Sequence, residues 1–454
     1  MFSSDIIVAP ATAVSDGGIA IVRVSGIDCL SFVEPYFKPA MIECPFQSHM
    51  MYYGHFISQQ DKVVDEIMFV YMVSPRSYTG EDVVEIHCHG GRIVVRQILD
   101  ILLEAGCRMA KPGEFTQRAF LNGRIDLAEA EAVADLIVSR SDLSAKIAVA
   151  QMDGSLSSIV YDYRHQIIQI LALIEAYIDF PEDDINAPHI SSISGDLDIL
   201  LSGISSLIDG FEEGRIVRDG LSLLIMGEPN VGKSSILNQF LGEDRAIVTN
   251  IPGTTRDIIE ESIVVSGLTL RFIDTAGIRD TDDPIELDGV RRARDKVSSA
   301  DLILYVIDGT CSYGEALRAT LLEYGDIPLI VLVNKSDKIK CSVPEMLSNF
   351  KYLSVSAKDG TGFTDLKEEI LSIFKLSGSE ERESFMVSDR RHRDALFCAL
   401  SFLREFEFNF KSGLPPEFLS IHLRDALSSL GEITGETTPD DVLNKIFSRF
   451  CIGK

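Results

Sequence analysis

The chain has 454 residues, long enough for roughly three domains of about 150 residues each and too long for one ordinary core. Hydrophobic residues make up 46% and charged residues 24%, so packed interiors are expected throughout and general disorder is excluded. The formal net charge of −27, from 42 basic and 69 acidic residues, excludes a nucleic-acid binder that relies on a global positive field, though not a local basic patch.

No apolar stretch approaches a membrane span; the longest, such as Leu302 to Ile307, are strand-sized. The opening Met-Phe-Ser-Ser-Asp has no basic region of the kind that starts a secretory signal. The eight cysteines, at 29, 44, 88, 107, 311, 341, 398 and 451, include no Cys-x-x-Cys pair. That scatter suits a reducing cytosol and offers no zinc framework. A soluble, cytoplasmic protein is expected.

Residues 1–118 read as strands with turns at Gly18 to Val24, Met50 to Ile57, Val63 to Val73 and Val83 to Cys88, followed by a helix from Arg92 to Glu104. That mixture predicts an α/β or α+β unit. Over 119–215 the period becomes helical: Ile167, Ile170, Leu171, Ile174, Tyr177 and Ile178 fall on one face, and Pro181 is a stop signal. The stripe reads as the core of a helical domain. Over 219–376 strands alternate with helix-length segments, at Leu221 to Met226, Leu268 to Ile273, Leu302 to Ile307, Pro328 to Val333 and Tyr352 to Val355. This predicts a doubly wound sheet. The polar tract from Ser377 to Ser384 reads as a linker, and helical patterning returns over 385–454. The α/β unit is therefore expected to be inserted in a helical domain.

Gly227-Glu-Pro-Asn-Val-Gly-Lys-Ser234 has the spacing of a P-loop and directly follows a predicted strand. Its glycines let backbone N–H groups close around phosphate oxygens, Lys233 reaches the β- and γ-phosphates, and the Ser234 hydroxyl can ligate Mg²⁺. Four further elements follow in order: Thr254-Thr255, Asp274-Thr-Ala-Gly277, Asn334-Lys-Ser-Asp337 and Ser356-Ala-Lys358. Asp274 can hold the Mg²⁺ shell, and Gly277 leaves room for a backbone N–H at the γ-phosphate. Two carboxylate oxygens on Asp337 can accept from the ring N–H and exocyclic amine of guanine, which adenine cannot match. The five elements predict a Ras-like P-loop GTPase domain. The nucleotide-contacting set is Asn230, Val231, Gly232, Lys233, Ser234 and Ser235 in the P-loop, and Thr249, Asn250, Ile251, Pro252, Gly253, Thr254 and Thr255 in switch I. It continues with Asp274, Thr275, Ala276 and Gly277, then Asn334, Lys335 and Asp337, then Ser356, Ala357 and Lys358. Where Ras-like enzymes commonly place a water-orienting Gln, this chain has Ile278, so another residue must orient the water; the acidic loop from Asp280 to Asp288 follows.

Asp5-Ile-Ile-Val-Ala-Pro-Ala-Thr12, Gly17 to Gly26, Tyr78 to Gly91, Lys111 to Phe120, Gly431-Glu-Ile-Thr-Gly435 and the terminal Cys451-Ile-Gly-Lys454 add a second set of motifs. With these, the chain resembles the bacterial tRNA modification GTPases of the MnmE (TrmE) family over essentially its whole length. The resemblance implies that 1–118 is a tetrahydrofolate-binding domain, 119–215 and 385–454 are two parts of a helical domain, and 219–376 is the GTPase. It implies GTP- and folate-dependent addition of an aminomethyl or carboxymethylaminomethyl group at C5 of the wobble uridine of certain tRNAs. The carbon donor is a 5-formyl- or 5,10-methylene-tetrahydrofolate, and the work is shared with an FAD-containing partner of the MnmG (GidA) type. A homodimer, paired through its N-terminal domains, and a heterotetramer with that partner are implied as well.

By the same resemblance, folate contacts fall on Arg23, Glu85, Arg124 and Lys454, the hydrolytic residue on Glu286, and K⁺ on Asn230, Thr249, Ile251 and Thr254. Mg²⁺ falls to Ser234 and Thr255. Arg124 stands where some relatives carry Lys, which keeps the charge and changes the donor geometry. Cys451 reads either as a buried, inert thiol or as a participant beside the folate and the modified base. His87-Cys88-His89 reads as strand packing, since Cys88 alternates away from both histidines. The run Arg390-Arg-His-Arg393 reads either as a solvated helix face or as part of a tRNA surface. Two other functions stay open here: a ribosome-assembly module like the Era GTPases, and a folate-dependent aminomethyl transferase regulated by an inserted GTPase.

Overall fold

Within Val83-Val84-Glu85-Ile86-His87-Cys88-His89, alternation sends Val84, Ile86 and Cys88 to one side and Glu85, His87 and His89 to the other. The computed structural model makes this segment a strand. It describes residues 5–13, 15–41, 45–179, 188–243, 261–273, 297–325, 327–338, 347–374 and 386–454. The chain divides into two compact units, one of residues 1–134, 151–193 and 401–454, the other of residues 135–150 and 194–400. The helical segments 119–215 and 385–454 contribute to both.

The first unit holds a seven-stranded sheet of β1 (Ile7–Pro10), β2 (Ile19–Ser25), β3 (Phe37–Pro39), β4 (Met51–Ile57), β5 (Val63–Met72), β6 (Val83–His89) and β7 (Arg108–Met109). Its order is β3-β4-β5-β6-β2-β1-β7, antiparallel throughout except for the β1–β7 pair. The strands expected from alternation are present within a residue of their limits. β1, β3 and β7 have only 4, 3 and 2 residues, too few for a period to be read. One face is closed by the helix Arg92–Glu104, whose Val95, Ile98 and Leu102 pack with Val22, Val24, Val84, Ile86 and Cys88. Register places Ile19, Met51, Tyr53 and Met68 on the opposite face, and all four are exposed.

In the same unit, the helix Ser155–Asp179 lies along the helix Pro416–Thr434. Arg164 Nη1 donates to the Leu427 carbonyl at 3.0 Å and Arg424 Nη2 to Glu175 at 2.6 Å, so the two helices run antiparallel. Ile167, Ile170 and Ile174 of the expected stripe are buried. Pro181 and the tract 377–384 lie outside the described residues.

A six-stranded sheet forms the second unit: β8 (Leu221–Met226), β9 (Glu261–Val265), β10 (Leu268–Ile273), β11 (Leu302–Asp308), β12 (Leu329–Asn334) and β13 (Lys351–Ser354). The order is β13-β12-β11-β8-β10-β9, parallel except for β9, which pairs antiparallel with β10. Leu304, Val306, Ile330 and Leu332 face one core cluster, while Ile303, Ile307, Val331 and Val333 face another. The sheet is buried on both sides, which is why its strands read as continuous apolar runs. Strand order reverses at β8, flanked by β10 and β11. Ligands of such sheets bind at the carboxyl ends of the strands beside this switch point.

Candidate functional site

β8 runs directly into the P-loop, and the helix Lys233–Glu243 starts at the loop's end. A helix N-terminus presents backbone N–H groups that favour a phosphate beside them. Asn230 turns the loop with φ of 63°, and Gly232 sits at φ of 102°. A Cβ on Gly232 would lie 2.3 Å from Asn334 Nδ2, so only glycine lets the loop pack here. Lys233 Nζ donates to the carbonyls of Gly227 and Glu228 at 2.9 and 2.8 Å, and burial lowers its pKa. Val231 is buried, Ser234 is partly exposed, and Asn230 and Ser235 are exposed.

The segments expected to read the base gather beside the loop. Asn334, at the end of β12, is buried; its Nδ2 donates to the Val231 carbonyl at 2.8 Å and its Oδ1 accepts from the Ala357 N–H at 3.1 Å. It therefore ties P-loop, β12 and the Ser356-Ala357 turn together. Ser356 is buried and donates to Asp337 Oδ1 at 3.2 Å, holding the carboxylate of an otherwise exposed residue. Lys335 donates to the Asn230 carbonyl at 3.3 Å and to Asp308 Oδ2 at 2.5 Å. Burial works against ionising Asp308, but the hydrogen bonds from Lys335 and Thr310 hold its carboxyl at about 2. Asp308 escaped the sequence reading; its signal is an acid at the crevice end of a buried strand. Lys358 is exposed. Thr249, Asn250, Ile251, Pro252, Gly253, Thr254, Thr255, Asp274, Thr275, Ala276, Gly277, Ile278 and Glu286 lie outside the described residues.

A second site forms in the first unit. Arg23 on β2 stands opposite Glu85 on β6, and both its Nε and its Nη2 lie 2.9 Å from Glu85 Oε1. His87, two residues along β6, takes the other oxygen at 3.3 Å. This bond and the Arg23 guanidinium hold the Glu85 carboxyl below the usual range, against the effect of burial. The Arg23 guanidinium lies 5.0 Å from the Tyr78 ring centroid and 5.7 Å from that of Phe115, both within cation–π range. Tyr78 and Phe115 were not singled out from sequence, although each lies inside a motif noted above, and His87 was read only as strand packing.

The terminal segment docks at this site. Gly113 N–H donates to the Cys451 carbonyl at 3.4 Å and Phe115 N–H to the Lys454 carbonyl at 3.2 Å. Gly453 has φ of 96°, and a Cβ there would lie 2.0 Å from the Pro10 carbonyl oxygen. The half-buried Lys454 amine has a pKa lowered first by burial and next by the Arg23 charge, with Cys451 and Glu85 pulling the other way. Arg23, Glu85, Lys454 and Cys451 therefore share one electrostatic environment. Cys451 is exposed, which removes the reading of a buried, inert thiol. Arg124 is exposed in the turn after the helix Glu114–Leu121 and makes no hydrogen bond or ion pair with Arg23, Glu85 or Lys454 among the described residues.

Behind the pocket, Arg118 binds Asp5, Glu81 and Glu114 at 3.0, 3.0 and 3.3 Å, and Arg108 binds Asp5 and Glu114 at 2.5 Å each. These bonds fix the Lys111 to Phe120 segment beneath β1. Cys88 packs in the core, His87 faces Glu85, and the exposed His89 binds Asp65 at 2.7 Å. No cluster suited to a metal ion occurs among the described residues, and none of their helices is long and apolar enough to cross a membrane.

Chemically, the second site has a carboxylate that can accept from a planar N–H edge, two cations that can pair with an anionic group, and an exposed thiol on the docked terminal segment. Known proteins match the chain along its whole length. Residues 6–124 match the family described as the GTP-binding protein TrmE N-terminus, and residues 127–451 match the MnmE helical domain. A relative from Syntrophotalea carbinolica, called tRNA modification GTPase MnmE, is 49% identical over 456 residues, 100% of each chain. Relatives with that name from Geobacter sulfurreducens and Clostridioides difficile are 48% and 41% identical over 457 and 462 residues, again 100% of each chain. With end-to-end identity at this level and both family models matched across the chain, the chain belongs to the MnmE (TrmE) family of tRNA modification GTPases, GTP hydrolases with a role in tRNA modification.

Proposed function

We propose that this GTPase uses K⁺-dependent hydrolysis to drive folate-dependent modification of the wobble uridine of tRNA, together with an FAD-containing partner of the MnmG type. The observation that carries this reading is the Arg23–Glu85 pair beside Phe115, with the terminal segment of Cys451 and Lys454 bonded to Gly113 and Phe115. A pterin presents a guanidine-like N–H edge that a carboxylate such as Glu85 can accept from. A glutamyl tail needs cations, for which Arg23, Lys454 and the exposed Arg124 are the candidates. Bound there, a 5-formyl- or 5,10-methylene-tetrahydrofolate would supply the carbon added at uridine C5. Cys451 is assigned a place beside that carbon and the base.

In the GTPase, Ser234 and Thr255 are the candidate Mg²⁺ ligands. Asn230, with Thr249, Ile251 and Thr254, is the candidate K⁺ set; the cation would offset charge developing between the β- and γ-phosphates. The exposed side chain of Asn230 at the tip of the P-loop fits that role. Glu286 is assigned the orienting of the attacking water, because Ile278 cannot hydrogen-bond it. The chain acts as a cytoplasmic homodimer that forms a heterotetramer with its partner. The exposed sheet face of Ile19, Met51, Tyr53 and Met68, next to Arg23 and Glu85, supports pairing through the first unit.

The deciding experiment is nucleoside analysis of tRNA from cells that lack the protein. Loss of the C5 substituent at the wobble uridine is the expected result. Intact modification there would remove the reading and favour a ribosome-assembly role.

A further inference from the structure

The basic run Arg390 to Arg393 is largely engaged by folding. His392 is buried, and Arg393 lies 4.7 Å from the Phe211 ring centroid while bonding Asp394 at 2.6 Å. Only Arg390 of the run is fully exposed, so the run is not a fully solvated helix face.

Free positive charge gathers instead around the terminal segment. The helix Asp440–Phe447 turns Leu443 and Phe447 into a cluster with Leu127, Ala130 and Phe450. Helical spacing then leaves Lys445, and Arg449 one turn later, on the outer side, and both are exposed. The loop from Lys111 to Gly113 abuts the end of this helix: a Cβ on Gly113 would lie 2.5 Å from the Phe447 carbonyl oxygen and 3.0 Å from Phe450 Cβ. Lys111 is also exposed. Between these segments stand Cys451 and Ile452, both exposed.

Carboxylates of the region are engaged elsewhere. Glu114 binds Arg108 and Arg118, Glu85 binds Arg23 and His87, and Asp126 accepts from the Glu129 N–H as a helix cap. Asp440 and Asp441 stand at the other end of their helix, where they face its positive dipole. Lys111, Lys445 and Arg449 form no ion pair among the described residues. In a chain with net charge −27, three unneutralised cations beside one exposed thiol make a local field of the sign that an RNA backbone needs.

We propose that Lys111, Lys445 and Arg449 form a phosphate-binding rim that holds tRNA over the opening at Cys451. The inference rests on the reading above that this chain acts on tRNA at its terminal segment, and it adds where the backbone is held. Phosphate contacts position a nucleic acid without reading its sequence, so the rim sets the approach of the anticodon loop and leaves base choice to the pocket.

The test measures binding of an unmodified tRNA transcript to the full-length protein by fluorescence anisotropy across a salt series. The compared proteins are wild type, the triple variant Lys111→Gln/Lys445→Gln/Arg449→Gln, and Arg449→Lys. The triple variant should bind about tenfold or more weakly, with a log–log salt slope shallower by roughly 2, since each lost phosphate contact removes about 0.7 to 0.9. Arg449→Lys should stay near wild type, GTP hydrolysis without tRNA should be unchanged in every variant, and unchanged circular dichroism with an unchanged thermal midpoint shows that the first unit folds. Affinity within twofold of wild type and an unchanged slope in the triple variant would overturn the rim. If wild type itself binds no tRNA, the substrate reading fails first and the rim with it.

Discussion

The Arg23 guanidinium and the Glu85 carboxylate face each other across paired strands, with Arg23 Nε 2.9 Å from Glu85 Oε1. His87 occupies the second oxygen, so the carboxylate is held from both sides. Glu85→Gln keeps the shape and removes the charge. It should weaken binding of 5-formyl-tetrahydrofolate by about 10- to 100-fold, the scale of a charged hydrogen bond, without changing GTP affinity. Calorimetric titration of folate and of GTP checks both halves; unchanged folate affinity would take Glu85 out of the site.

Gly453 is where docking of the terminal segment depends on one missing atom. Gly453→Ala would put a Cβ 2.0 Å from the Pro10 carbonyl oxygen and force an L-residue to φ of 96°. The left-handed conformation alone costs about 1–2 kcal/mol. The segment should therefore lift away while the sheet stays folded. Folate affinity should fall to that of a Lys454→Ala variant, and limited proteolysis should release the last residues. Wild-type folate affinity would show that the segment tolerates the shift.

Asp337→Asn replaces two acceptors with one acceptor and one donor, an arrangement that suits xanthine better than guanine. GTP affinity should fall by about 10- to 100-fold and xanthosine triphosphate should be gained. Competition binding with both nucleotides measures this, and equal GTP affinity in variant and wild type would end the base-reading role.

Replacing K⁺ with Na⁺ should slow hydrolysis strongly, and Asn230→Ala should blunt that preference. Loss of one group that stabilises developing charge typically costs on the order of 10²-fold in rate. Rates in matched chloride salts decide it. An enzyme indifferent to the cation would return the role to a side chain, such as an arginine.

Glu286→Ala should cut single-turnover GTP hydrolysis by about 10²- to 10⁴-fold while GTP affinity stays within a few-fold, because a water-orienting carboxylate acts mainly in the transition state. A variant within threefold of wild type in saturating K⁺ and Mg²⁺ would assign the water to another group.

The P-loop was legible in the sequence because it is local. A P-loop is one contiguous turn between a strand and a helix, and its glycine positions follow from short-range backbone geometry. Long strands and the Ile167 to Ile174 stripe were legible for the same reason, since a period repeats within a few neighbouring residues. β1, β3, β7 and β9 were missed; the first three are too short to show a period, and β9 gains its place by pairing with β10. Residue identity at the second site came through family resemblance, but its assembly could not be read locally. Arg23 and Glu85 lie 62 positions apart and meet only because the β2–β6 register sets them opposite each other. Lys454 joins them only because Gly453 lets the terminal segment pass against Pro10. The basic residues separate in the same way. Composition marks 390–393 as a cationic run, yet packing against Phe211 engages it and leaves Lys111, Lys445 and Arg449 free. Which charges remain available to a partner is decided by burial and pairing, and those are properties of tertiary contacts.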